Sequence, residues 1–199
     1  MKKLFLIAWI AFPLTLMAGE GYTVGDKAAD FKLKDVSGDM VSMSDYPDAR
    51  GFVVIFTCNH CPFAKAYEDR IIDIDKTYKK KGYPVIAINP NDPEIVPEDS
   101  YEAMQTRAEE KGFTFPYLID ETQEVYKMYG ATRTPHVYDL ERNDNKLVVK
   151  YIGPNDDNYQ DARPVDKTYL TDAVDNLLAG KEPDPAFTKA VGCTIKTRK

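Results

Sequence analysis

The chain has 199 residues, 43% of them apolar and 12% aromatic. That supports one globular domain with a real core and leaves no room for a large second, cofactor-binding domain. Acidic side chains outnumber basic ones by 32 to 26, a net charge of −6, which argues against nucleic acid as a partner.

Met1-Lys2-Lys3 makes a charged start, Leu4 to Met17 an apolar run broken by Pro13 and Thr15, and Ala18-Gly19-Glu20 a small-residue exit. This is the pattern of a secretory signal, so residues 1–18 are expected to be removed. Residues 19–199 then form the mature domain, ending in a tail over about 181–199. The apolar run is shorter than the roughly 20 residues a spanning helix needs, so no transmembrane segment is expected in the mature chain. No cysteine follows the run, which argues against a lipid anchor. The exported chain, periplasmic or otherwise extracytoplasmic, carries 24 basic against 32 acidic side chains, a net charge of −8.

Strand and helix patterns alternate from there, the order of an α/β domain. Phe31 to Val36, the turn Ser37-Gly38-Asp39 and Met40 to Met43 predict an N-terminal hairpin. Gly51 to Thr57 is continuously apolar, as a strand buried on both faces should be. Cys61, Ala64, Tyr67, Ile71, Ile74 and Tyr78 recur at helical spacing until Gly82. Lys79-Lys80-Lys81 closes that helix, where positive charge complements the dipole, and is given no binding role. A second buried strand is expected at Pro84 to Asn89, then a Pro- and Asn-rich loop to Pro97. A helix at Ser100 to Lys111, a short strand at Phe115 to Asp120 and a short helix at Thr122 to Tyr129 follow. Pro135 to Leu140 and Lys146 to Ile152 read as an antiparallel pair, Val165 to Leu178 as a closing helix, and Lys181 to Lys199 as an extended tail.

The chemistry concentrates in Cys58-Asn59-His60-Cys61-Pro62, where a buried strand ends and a helix begins. Backbone N–H groups at a helix start stabilise a thiolate. Cys58 is expected to be the exposed attacker with a lowered pKa, and Cys61, a turn further in, to resolve the mixed disulfide. A Cys58–Cys61 bridge closes too short a loop to serve as a staple, so its purpose is chemical. His60 either tunes the Cys58 thiolate or is a solvent-exposed turn residue. Cys58, His60, Cys61 and Cys193 would also supply a Cys3His zinc set. Structural zinc sites usually join two separate ligand pairs, however, so no metal is assigned. Cys193, far along the tail, is read first as a packed cysteine and second as a third redox participant.

The strand, Cys-x-x-Cys-Pro helix, strand, helix, Thr-Pro strand, strand, helix order resembles the thioredoxin superfamily. The string Phe56 to Glu68, with the tail Gly192 to Lys196, is similar to its peroxiredoxin-like redoxin branch, the AhpC/TSA-type proteins. The resemblance spans about residues 22–199. It implies a thioredoxin-like α/β fold, a central mixed sheet flanked by helices with an N-terminal β-hairpin. It also implies a cis peptide at Thr134-Pro135 beside the cysteines, with the Thr134 backbone free to pair with an incoming peptide. The activity implied is thiol–disulfide exchange through Cys58 and Cys61, with Asn59, His60, Pro62, Thr134 and Pro135 shaping the site. The partners would be protein or small-molecule thiols and disulfides, and no prosthetic group is needed. The rivals are a thiol peroxidase with Arg133 as anion-stabilising donor, and a metal-binding module. The chain departs from peroxiredoxins in carrying Cys58 where they have a threonine three residues before the peroxide-attacking cysteine, and Val54 in place of a proline. The net direction of exchange, the partner's identity and the oligomeric state carry no sequence signal.

Overall fold

In the computed structural model, residues 21–144 and 146–198 are described. The expected leader, residues 1–18, lies outside them.

The elements run β1 Lys27–Ala28, β2 Lys32–Asp35, β3 Met40–Ser42, β4 Gly51–Phe56, α1 Pro62–Tyr78, β5 Val85–Asn89 and α2 Tyr101–Lys111. Then come β6 Tyr117–Ile119, α3 Val125–Tyr129, β7 Arg133–Thr134, β8 His136–Asn143, β9 Lys146–Gly153, α4 Tyr169–Leu178 and β10 Cys193–Thr194. Among the described residues the main sheet has the order β1-β9-β8-β4-β5-β6-β2-β3. The β4, β5 and β6 strands are parallel and the other pairs antiparallel, with the expected hairpin β2–β3 at one edge. This is the thioredoxin-like mixed sheet.

Period-two alternation in β4 decides the layers. Phe52, Val54 and Phe56 point into a core completed by Tyr126 and Tyr129 of α3, Phe31 and Met43. Val53 and Ile55 face the opposite core, built with Tyr67 and Ile71 of α1, Met104 of α2, and Leu170, Val174 and Leu177 of α4. All six β4 residues are buried, so the strand can be uniformly apolar, as read.

Two charged residues of α1 are buried although the apolar repeat does not mark them. Glu68 accepts from Arg107 Nε and Nη2 at 2.8 and 2.6 Å, and Asp75 accepts from the Val85 N–H and the Thr114 hydroxyl at 3.1 and 2.8 Å. Each ties α1 to a neighbouring element and satisfies a carboxylate that would otherwise be costly to bury.

Two helices start later than their sequence patterns suggest. For α3, Gln123 adopts φ +58° while Asp120 accepts from the Tyr126 N–H at 2.8 Å, which delays the first turn. For α4, residues 165–168 stay outside the helix. The loop before it is held to α1 by Arg70, whose guanidinium donates to the Asp156 carboxylate at 2.6 Å and to the Asn158 and Tyr159 carbonyls at 2.7 and 2.8 Å. The tail is likewise more ordered than an extended segment: β10 pairs antiparallel with β7, Cys193 opposite Thr134 and Thr194 opposite Arg133.

Candidate active site

The strand β4 delivers the chain to Thr57, whose N–H donates to Ile88 O at 2.9 Å, and the next residue is Cys58. Three residues on, Cys61 is the N-cap of α1, and Pro62 occupies the first helical position, where its missing N–H costs nothing. Pro62 itself is exposed. From the other side comes the Thr134-Pro135 peptide, which is cis, with both residues buried. Thr134 touches both cysteines: its hydroxyl lies 3.2 Å from Cys58 Sγ and its carbonyl oxygen 3.2 Å from Cys61 Sγ.

The bond between sulfurs is not the one the spacing suggested. Cys61 is disulfide-bonded to Cys193, 132 residues away, and Cys58 is the free thiol. This corrects the reading of Cys193 as a packed tail cysteine. It also corrects the expectation for Cys58, which is only 3% exposed, with its thiol pushed up to about 11. Burial is the largest cause and the charge of Asp99 the second; the Thr134 hydroxyl and the backbone N–H groups of Cys61 and His60 pull the other way. Cys61 is the capping residue of α1 but its side chain makes no cap hydrogen bond, and Cys58 lies upstream of the helix.

Asp99 is the residue that sequence reading missed. It is fully buried and organises the loop between the cysteines. Oδ1 accepts from the Asn59 and His60 backbone N–H groups at 2.7 and 3.2 Å. Oδ2 lies 2.5 Å from His60 Nδ1 and accepts from Asn91 Nδ2 at 2.7 Å. A nitrogen and an oxygen so close must share a proton, so His60 presents an N–H there, and the same Nδ1 is 3.6 Å from Cys58 Sγ. His60 is thus a coupled member of the site and not a free turn residue. Asn59 is locked by its amide on Glu98 O at 2.9 Å and by the Tyr117 hydroxyl on its Oδ1 at 2.9 Å. Nothing in Pro97-Glu98-Asp99-Ser100 distinguishes Asp99 from a helix-start acid; Asn89 and Asn91, two amides at and just past the end of a buried strand, were the available hint.

Two rival assignments meet this geometry. Arg133 donates to the Thr194 hydroxyl at 2.8 Å, so it holds the tail rather than facing a sulfur. The Cys3His set is not assembled, since two of its sulfurs are bonded to each other. Donor atoms of Cys58, His60 and Asp99 do lie within 4.8 Å of one another. Two ligands of one tetrahedral zinc ion at about 2.0–2.2 Å stand well over 2.5 Å apart, however, so the His60–Asp99 pair in this arrangement shares a proton and not an ion.

The AhpC/TSA family model matches residues 24–152. The chain belongs to that family. Among curated relatives it is similar to the thiol-disulfide oxidoreductase ResA of Geobacillus kaustophilus, 28% identical over 157 residues, covering 71% of this chain and 84% of that one. Among solved structures it resembles an uncharacterized conserved protein from Geobacillus kaustophilus, 38% identical with a TM-score of 0.81, covering 88% of this chain and 93% of the other. A hypothetical protein from Sinorhizobium meliloti is 32% identical with a TM-score of 0.82, covering 89% and 96%. The hydroxyl beside Cys58 comes from Thr134.

While Cys61 and Cys193 are bonded, Cys58 should be alkylated slowly at neutral pH, with an inflection near 11 rather than the free-thiol value of about 8.5. Asp99→Asn removes one of the two leading causes and should lower that inflection, as read from the pH dependence of iodoacetamide labelling. An inflection that stays put would take Asp99 out of the electrostatics of Cys58.

Proposed function

We propose that the protein is a thiol–disulfide oxidoreductase in which Cys61 exchanges with the partner's sulfur and Cys58 resolves the mixed disulfide. The observation that carries this division of labour is the position of Cys193. A strand lying along the Thr134 backbone, where a peptide partner would lie, places its cysteine on Cys61 and leaves Cys58 free. The roles are therefore the reverse of those the spacing suggested.

Cys61, the N-cap residue of α1, attacks the partner disulfide, and in the resolving step it stays bonded to Cys58 while the partner's sulfur departs. Cys58 must lose its proton to attack Cys61. Its thiolate then finds donors already in place: the Thr134 hydroxyl and the backbone N–H groups of His60 and Cys61. The proton leaves to solvent, and the partner leaves as a thiol. His60, Asn59 and Asp99 keep these donors aimed, while Thr134 and Pro135 form the edge that receives the partner. The partners are thiols and disulfides of proteins or small molecules.

Export belongs to the same proposal. The pattern of residues 1–18 supports it. Sequencing the mature N-terminus should find Gly19 or Glu20; a soluble cytoplasmic pool beginning at Met1 would refute it. Among the described residues no helix is long and apolar enough to cross a membrane.

The competing activity is peroxide reduction, and one paired assay separates the two. Reduced protein should release thiols from a peptide disulfide and consume hydrogen peroxide no faster than a free thiol does. Rapid peroxide consumption with the peptide disulfide untouched would replace this function with a peroxidase.

A further inference from the structure

The tail is fastened to the site well beyond its disulfide. Lys196 donates its N–H to Asn91 Oδ1 at 2.7 Å and accepts from the Asp92 N–H and Gln123 Nε2 at 2.9 Å each. Arg198 donates its N–H to Gln123 Oε1 at 2.7 Å and its Nε to Asp92 Oδ2 at 2.8 Å, and Ile195 is buried in the sheet core. Directly before Cys193, Gly192 lies against Thr134 so closely that a Cβ there would collide with the Thr134 carbonyl. Absence of a side chain is what permits this approach. The edge of β7 is therefore occupied by β10, and any partner strand must displace it.

Cys58, Cys61 and Cys193 meet in one cluster, and both Cys58 and Cys61 have their sulfurs 3.2 Å from atoms of Thr134. Structural stapling alone would not require a free cysteine beside the bridge. We propose that the strand around Cys193 is a built-in occupant of the partner edge, and that Cys193 is a third redox cysteine whose bond to Cys61 is exchanged by Cys58. In the step, the Cys58 thiolate attacks the Cys61 sulfur. The Cys58–Cys61 bond forms as the Cys61–Cys193 bond breaks, and the electron pair leaves on Cys193, which takes up the proton Cys58 gave up. Nothing is oxidised or reduced overall. The protein passes from a form with the edge closed by its own tail to one in which the tail is no longer covalently held. The inference rests on the exchange function proposed above and adds to it an internal substrate that must leave before an external one enters.

The test maps disulfides in the oxidised full chain after acid quenching and alkylation. Trypsin releases Cys58 and Cys61 together in residues 51–65 and Cys193 in residues 190–196. The closed form gives a cross-linked pair with Cys58 alkylated; the open form gives an internal bridge with Cys193 alkylated. The wild type should show mainly the first. Gly192→Ala, which retains every cysteine, should shift the ratio toward the second by on the order of tenfold, the usual scale for overpacking a close contact. A cysteinyl peptide should also react faster with oxidised Gly192→Ala than with wild type, while glutathione reacts with both alike. An unchanged ratio in Gly192→Ala, or a wild type holding only the Cys58–Cys61 bridge, overturns the inference. If the wild type still turns over a peptide disulfide in that case, the exchange function stands and only the tail's role falls; no turnover at all means the function itself has failed.

Discussion

Turnover of a peptide disulfide should fall on the order of 10³-fold or more in Cys61→Ser, and by a similar factor in Cys58→Ser. The reason is the same for both. On the proposed assignment Cys61 is the sulfur that the partner's cysteine reaches, and Cys58 is the thiol held beside it, 3.2 Å from the Thr134 hydroxyl. An exchange cycle needs one sulfur to take the partner on and another to release it, so either deletion stops the cycle. The Cys58→Ser/Cys61→Ser double variant should be no worse than either single variant, because residues acting as one unit are not additive. Steady-state thiol release with excess reductant reads this out. Full turnover in Cys58→Ser would mean one-cysteine chemistry, in which the reductant itself resolves the intermediate.

A large loss of stability in acid is expected from His136. It opens β8 next to Pro135, opposite Phe56 in β4, and burial pushes its imidazole down to about 4. Its Nδ1 accepts from the Thr132 N–H at 3.3 Å, a bond available to the neutral ring. In the unfolded chain the ring binds a proton near pH 6.5; in the fold it stays neutral until about pH 4. Between those values the unfolded state binds more protons, so stability rises with pH, is fully present above about 6.5 and is lost as pH falls toward 4. Across a window of about 2.5 units the loss is about 3 kcal/mol. His136→Asn keeps an acceptor for Thr132 and has nothing to protonate there. Urea unfolding at pH 7 and pH 4 should show the wild type losing about 3 kcal/mol more than the variant. Parallel losses would mean that His136 is already charged in the fold.

The fold was legible because its signals are local. The apolar run of β4, the 3–4 spacing of α1 and the polar turn between β8 and β9 each specify an element without help from distant residues. The hairpin β2–β3 and the cis Thr134-Pro135 peptide were foreseen in the same reading, the latter only through the family resemblance. What escaped depends on contacts between distant positions. The late start of α3 follows from Gln123, whose side chain joins Pro90 O and Lys196 O at 2.7 and 2.9 Å, a bridge no local window contains. Asp99 is 39 residues from His60 in sequence and looks like any acid before a helix. The Cys61–Cys193 bond joins residues 132 apart, whereas the Cys-x-x-Cys spacing points to the neighbouring pair. The exposure and pKa expected of Cys58 depend on distant contacts too. Spacing placed Cys58 near the helix start, but the cap falls at Cys61, and burial with Asp99 nearby raises the Cys58 pKa instead of lowering it.

The most direct measurement is the site of a trapped partner. Cys58→Ser/Cys193→Ser and Cys61→Ser/Cys193→Ser each retain one cysteine, and each is mixed with a single-cysteine peptide carried as a mixed disulfide with glutathione. Mass mapping should find a stable peptide adduct on Cys61 in the first variant and little or none on Cys58 in the second. An adduct that forms readily on Cys58 while Cys61 stays unmodified would contradict the assignment of Cys61 as the sulfur that meets the partner.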